Sequence, residues 1–219
     1  MRQQFRLGDV RALIVDIDGT LFRGPVPLPG LRRFFAFLQS REIGSVVVSN
    51  NTTKTAAEYW EKLAAQGVQI QADQILTAAT ATAGYLEGKV GAGTSLYVIG
   101  ELALTGVLRE AGFVLRQAAS LPVDAVVVGG DSTLTYDKLK YAALLLQRGA
   151  RFVGTNPDLL CPTDEGLVPE AGATLAALEA ATGIAPDVVG KPARPLFDLA
   201  LQRLGCRRYE TAILGDRLE

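Results

Sequence analysis

Short apolar runs rich in β-branched residues alternate along this chain with segments whose apolar residues recur at helical spacing. That alternation restricts the chain to α/β architecture with a mostly parallel sheet, since parallel neighbours need a long crossover and a helix supplies it. The spacing predicts strands at 13–17, 45–48, 96–99, 125–128 and 152–153, near 188, and at 211–214. It predicts helices over 31–40, 74–86, 101–111, 136–148 and 171–182. In the first, Phe34, Phe35 and Leu38 share a stripe. Thr55-x-x-Glu58 reads as a capping box opening a further helix, with Ala56, Tyr59, Trp60 and Leu63 at helical spacing. A last helix has Pro195 in its first turn, and Gly67 and Gly205 fit positions just past helix ends. At Gly88 the composition turns glycine-rich, in GKVGAGTS, and a second α/β series begins.

Ligands of open parallel sheets bind beyond the carboxyl ends of the strands. Here the first strand ends in Asp16-Ile17-Asp18-Gly19-Thr20 and the second in Ser49-Asn50-Asn51. The strand near Val188 leads into Gly190-Lys191-Pro192, and the last into Gly215-Asp216. The four ends are expected to meet at one edge. Two acids at the end of a buried strand need compensation. If Asp16 attacks a phosphate dianion, the partners repel by roughly 8 kcal/mol at about 4 Å and an effective dielectric near 20. A hard cation such as Mg2+ on Asp16 and Asp216 would offset most of this. Lys191 adds a positive charge, and Ser49 can donate to a phosphoryl oxygen. Asp18, two residues on, starts on the same side of the strand as Asp16. One acid can attack while the other moves protons.

Composition narrows the chemistry further. The chain has no histidine, which excludes Ser-His-Asp catalysis, histidine phosphotransfer and histidine-ligated zinc. Neither Cys161 nor Cys206 has the arginine six residues later that a cysteine-loop phosphatase needs. The two thiols lie far apart and read as those of a reducing compartment. The start, MRQQFRLGDV, lacks the apolar core of a signal peptide, and no apolar run reaches membrane-spanning length. Net charge is −1 with no basic cluster, so neither nucleic acid nor a membrane surface is expected as a partner. The expected location is the cytoplasm.

DIDGT, SNN, GKP and GD, in this order, resemble the haloacid dehalogenase superfamily of aspartate-nucleophile phosphotransferases. SNNTTKT, the later GTNPD and VVGKP are similar to its NagD-like, p-nitrophenylphosphatase-type branch. The resemblance covers essentially the whole chain. It implies a Rossmann-like core with an inserted α/β cap: core at 1–87, cap at 88–186, core again at 187–219. The 141 residues between Ser49 and Lys191 leave room for that insertion. By resemblance Asp16 is the nucleophile and Asp18 the acid/base. Ser49, Asn50 and Lys191 bind the phosphoryl group. Mg2+ is held by the carboxylates of Asp16 and Asp216 and the carbonyl of Asp18. The family's last motif continues to a second aspartate, whereas this sequence reads Gly215-Asp216-Arg217-Leu218-Glu219.

The leading expectation is a Mg2+-dependent phosphatase of small phosphomonoesters. The alternatives are a phosphotransferase or mutase with the same nucleophile, or a phosphate-ligand binding protein without turnover. A receiver-like phosphoacceptor is disfavoured by the inserted cap. The resemblance also raises a homodimer through the cap. The loop 155–169 is the candidate specificity loop, with Asn156 and Asp158 as its candidate residues. It carries Asp158, Asp164 and Glu165 and no lysine or arginine, which favours a leaving group with little negative charge. GKVGAGTS lacks the order of a P-loop. Asp131, after Gly129-Gly130, reads as structural, and both cysteines as inert.

Overall fold

The computed structural model describes residues 7–91, 93–117, 122–163 and 165–216. In chain order the elements are β1 (Ala12–Asp16), the hairpin β2 (Phe22–Arg23) and β3 (Val26–Pro27), α1 (Leu31–Ser40), β4 (Gly44–Ser49), α2 (Ala56–Ala64), β5 (Ile75–Thr77) and α3 (Ala78–Val90). They continue as β6 (Ser95–Ile99), α4 (Leu102–Glu110), β7 (Val114–Leu115), β8 (Ala125–Val128), α5 (Tyr136–Gln147) and β9 (Arg151–Gly154). A hairpin of β10 (Leu160–Thr163) and β11 (Gly166–Pro169) precedes α6 (Ala171–Thr182), β12 (Asp187–Val188), α7 (Arg194–Leu204) and β13 (Thr211–Leu214). Two compact units result. The first draws on the described parts of Met1–Ser49, Ala56–Leu76 and Phe197–Glu219; the second on Asn50–Thr55 and Thr77–Leu196. The second unit thus takes in α3, and its end falls inside α7, whereas composition marks Gly88 and Pro186.

The first unit is built on a sheet in the order β13-β1-β4-β5. β1 pairs in parallel with both β13 and β4. Val46, Val47 and Val48 are buried, as are Ile14 and Val15, because central parallel strands are covered on both faces. Leu31, Phe35 and Leu38 are the buried stripe of α1. Phe34 is only partly buried and meets Phe35 edge-on, with ring centroids 5.3 Å apart. In α2, Tyr59 and Leu63 are buried. Trp60, one residue further round the helix, is 39% exposed, and its indole N–H donates to the Ile70 carbonyl at 2.9 Å.

The second unit has its own sheet, β12-β9-β8-β6-β7, parallel throughout. Its core gathers Ile99, Val126, Val128, Leu145, Leu146, Phe152, Leu175 and Leu178.

One expected helix is displaced. The segment 74–77 does not begin a helix: Ala72–Gln74 form a 3-10 turn and Ile75–Thr77 form β5. The helix starts at Ala78 because Thr77 caps it. The Thr77 hydroxyl accepts the Thr80 N–H at 3.2 Å, and the Thr80 hydroxyl accepts the Thr77 N–H at 2.9 Å. It then runs through Gly88 to Val90, since burial of Ala81, Ala83 and Leu86 outweighs the weak propensity of glycine. The two-residue strands β2, β3 and β7 are too short to carry a period, and β10 and β11 are mostly exposed and interrupted by Pro162 and Pro169.

Gly172 shows what close packing demands. A Cβ there would lie 2.2 Å from the main-chain oxygen of Pro157. Alanine gains roughly 1 kcal/mol of helix propensity over glycine, but overlap with a backbone atom typically costs about 1–3 kcal/mol or more. Gly172→Ala is therefore expected to lower the melting midpoint by several degrees in a circular-dichroism melt; an unchanged or raised midpoint would contradict this packing.

Candidate active site

In the first unit, the register of β1 builds the site. Asp16 is the last residue of β1 and pairs with Val48, and the Ile17 N–H donates to the Val48 carbonyl at 3.2 Å. One carboxylate oxygen of Asp16 accepts the Ile17 N–H at 2.8 Å. The chain then folds back tightly: the Ile17 carbonyl accepts the N–H of Leu21 at 2.9 Å, and the Gly19 N–H donates to Phe22 at 2.8 Å. This register also sets Asp18 beside Ser49, the last residue of β4. The Ser49 hydroxyl donates to Asp18 Oδ2 at 3.0 Å. The Tyr59 hydroxyl, from α2, lies 3.1 Å from Ser49 Oγ and 3.3 Å from the same Asp18 oxygen. Ser49 and Tyr59 are buried, whereas Asp18 is exposed. Burial first, and then the charge of Asp18, hold the Tyr59 hydroxyl far above the ordinary tyrosine range, so it keeps its proton.

β13 delivers the third acid. Leu214 pairs with Val15, and Asp216 follows two residues later. Its carboxylate lies against Gly19: a Cβ on that glycine would sit 2.2 Å from Asp216 Oδ2. Gly19 also has φ +90°, a left-handed conformation that favours glycine. Asp16, Asp18, Ser49 and Asp216 are thus grouped at the carboxyl edge of three adjacent strands. Within the turn, the Thr20 hydroxyl is buried without a hydrogen-bond partner. Among the described residues no three acidic or thiol side chains gather as a chelating group. The groups that the resemblance assigns to a cation are the carboxylates of Asp16 and Asp216 and the carbonyl of Asp18. That is an all-oxygen donor set, which suits a hard divalent ion.

The second unit holds the other expected residues. Lys191 follows β12, and β12 pairs with β9. The expectation of four strand ends on one sheet is therefore corrected: three lie on the first sheet, and Lys191 follows a strand of the second. The glycine-lysine-proline motif gives no periodic signal, so the sheet to which its two-residue strand adds is a tertiary matter. Within this unit Asn50, Asn156, Asp158 and Lys191 are brought together. Asn50 Nδ2 donates to Asp158 Oδ2 at 3.0 Å and to the Lys191 carbonyl at 2.9 Å. The Lys191 N–H donates to Asn50 Oδ1 at 2.8 Å. Asn156 is fully buried and donates to the Asn50 carbonyl at 2.9 Å. Asp164 lies outside the described residues. Asp131 has the structural part expected of it: its side chain is 2% exposed and bridged to Lys138 at 2.6 Å. Among the described residues Cys161 and Cys206 form no disulfide. Among the described residues no helix is long and apolar enough to cross a membrane.

Residues 13–114 match the haloacid dehalogenase-like hydrolase family. An acid sugar phosphatase of Staphylococcus aureus is 36% identical over 206 residues, 94% of this chain and 78% of that protein. The chain belongs to the haloacid dehalogenase-like hydrolases. The crystal structure of a 4-nitrophenylphosphatase from Thermotoga maritima superposes with a TM-score of 0.88 at 34% identity, covering 96% of this chain and 79% of that one. A structure assigned provisionally as a nagD protein gives 0.90 at 34% identity, over 97% and 83%. This hydrolase falls in the NagD-like, p-nitrophenylphosphatase-type branch and is a phosphatase. Haloacid dehalogenase-like phosphatases generally use a divalent metal.

Two residues of this phosphatase escape sequence reasoning. Tyr59 reads as one more apolar position on a helical stripe, and nothing in the spacing tells that its hydroxyl reaches Asp18. Glu170, the residue before α6, carries no signal in the sequence. It is half-buried, and burial raises its carboxyl above the usual range. The charges of Asp158 and Glu101 act the same way, against hydrogen bonds from the Ala171 N–H and Asn156. The fold thus favours protonated Glu170. Its stabilising contribution is complete below the ordinary glutamate value and is lost as pH rises through the raised one. Glu170→Gln should raise the urea midpoint relative to wild type at about pH 8 and not at about pH 4; equal effects at both would refute the assignment.

Proposed function

We propose that this enzyme is a Mg2+-dependent phosphatase that hydrolyses small phosphomonoesters through an aspartyl-phosphate on Asp16. The observation that carries the reading is the grouping of Asp16, Asp18, Ser49 and Asp216 at the edge of one parallel sheet. A carboxylate oxygen of Asp16 attacks phosphorus, and the bond to the ester oxygen breaks. Asp18 gives its proton to the leaving alkoxide. The resulting carboxylate of Asp18 then takes a proton from water, whose oxygen attacks the aspartyl-phosphate. Inorganic phosphate leaves and Asp16 is regenerated. The Ser49 hydroxyl turns its one proton from Asp18 to a phosphoryl oxygen when the ester binds, and Lys191 supplies a positive charge for that phosphoryl group. Asp16, Asp216 and the Asp18 carbonyl would hold the divalent ion, which when bound offsets the repulsion between carboxylate and phosphate.

The fold would use residues 88–186 as the cap, with loop 155–169 facing the leaving group and Asn156 and Asp158 selecting it. The acids of that loop disfavour a second anion on the substrate. The name of the staphylococcal relative, an acid sugar phosphatase, supports sugar phosphates, and that of the Thermotoga protein supports aryl phosphates as reporters. Cysteines held outside any disulfide fit a cytoplasmic enzyme.

Release of phosphate from p-nitrophenyl phosphate tests the mechanism. Asp16→Asn should lower turnover by about 10³-fold or more, and a chelator should abolish it, with recovery on adding Mg2+. Turnover surviving in Asp16→Asn would sink the covalent route. Among natural esters, neutral sugar phosphates should show higher kcat/KM than bisphosphates or phosphocarboxylates; the reverse order would exclude the role given to the acidic loop.

A further inference from the structure

Asn50 stands among the expected phosphate ligands, yet its side chain is already engaged. A carboxamide offers two N–H donors and one oxygen acceptor. Both donors of Asn50 are used, one on Asp158 Oδ2 at 3.0 Å and one on the Lys191 carbonyl at 2.9 Å. Its oxygen accepts the Lys191 N–H at 2.8 Å. What remains is a lone pair, which a phosphoryl oxygen repels. A phosphate ligand must donate.

We propose that Asn50 is a positioning residue for Lys191 rather than a phosphate ligand, and that it couples Asp158 to the same lysine. The inference rests on the phosphatase reading above for the role of Lys191. The Asn50 amide pairs with both polar groups of the Lys191 backbone, as one peptide pairs with another across a sheet. Two contacts fix the backbone from which a flexible four-carbon side chain starts, and less disorder remains to be removed when the ammonium meets a phosphate. Asn50 is itself held. Its carbonyl accepts from Asn156 Nδ2 at 2.9 Å, and Asn156 Oδ1 accepts the Asp158 N–H at 3.0 Å. Asn50, Asn156 and Asp158 thus close a ring with Lys191 clasped on one side. The sequence separations are 106, 108 and 141 residues, so the ring joins three motifs that are remote along the chain. A change at Asp158 would reach the cation through one hydrogen bond at Asn50.

A double-variant cycle with Asn50→Asp and Lys191→Met tests this, read as KM for p-nitrophenyl phosphate and inhibition by inorganic phosphate. Asn50→Asp keeps the acceptor for the Lys191 N–H and loses both donors. Each single variant should weaken both readouts by about tenfold or more, and the double variant should be no worse than Lys191→Met within about twofold. Additive penalties would overturn the positioning role, since Asn50 would then act on phosphate by itself or on the fold at large. An unaltered Lys191→Met would instead overturn the phosphate role of Lys191, and with it the purpose of the clasp. Hydrogen exchange of the Lys191 amide, observed by lysine-labelled NMR in the wild-type chain, decides the clasp without any variant. Protection well above that of an exposed loop amide is expected, and exchange at the exposed rate would refute it.

Discussion

Parallel pairing of β1 with β4 on one side and β13 on the other is the constraint on which the candidate site depends. It aligns Asp16 with Val48 and Val15 with Leu214. From that register alone Asp18 comes beside Ser49, and Asp216 comes against Gly19. Both faces of β1 are covered, so a slip by one residue would turn its buried side chains to the wrong faces and move every functional group with them. Burial of Ile14, Val15 and Val47 therefore does more than stabilise the first unit: it specifies which carboxylates meet.

The acids that this register gathers are costly to leave uncompensated. Hydroxyl donors meet part of the cost, since Ser49 and Tyr59 both reach Asp18. Those hydroxyls carry no charge, so under the proposed mechanism the edge would call for cations when a phosphate dianion arrived. Lys191 belongs to the second unit, where its backbone is fastened by Asn50. The phosphatase thus carries Asp16, Asp18 and Asp216 on one sheet and Lys191 after a strand of another, and it is the Asn50 side chain that holds the Lys191 backbone.

Much of the fold was legible. The strands 125–128 and 211–214 and the helices 31–40 and 171–182 coincide with the observed elements, because a continuous apolar run and helical periodicity are local signals. The helix expected at 74–86 was misplaced because a Thr77–Thr80 cap competes with the periodic pattern and wins. Short hairpins such as β10–β11 give no such signal, since proline interrupts both strands and most of their residues are exposed. At the site, Asp16, Asp18 and Asp216 were readable as acids at strand ends. Tyr59 was not, since a buried aromatic on a helix looks the same whether or not its hydroxyl has a task.

By itself the sequence determined the α/β class, the acids at the strand ends, the exclusion of histidine chemistry and the likeness to aspartate-nucleophile phosphatases. Each of these depends on residue identity and on spacing over a few positions. Tertiary structure alone decided that Lys191 follows a strand of the second sheet, that Tyr59 shares the Asp18 carboxylate with Ser49, and that the Asn50 amide clasps the Lys191 backbone. These depend on which remote segments pair, and pairing is set by the burial of whole sheet and helix faces, which no short stretch of sequence contains.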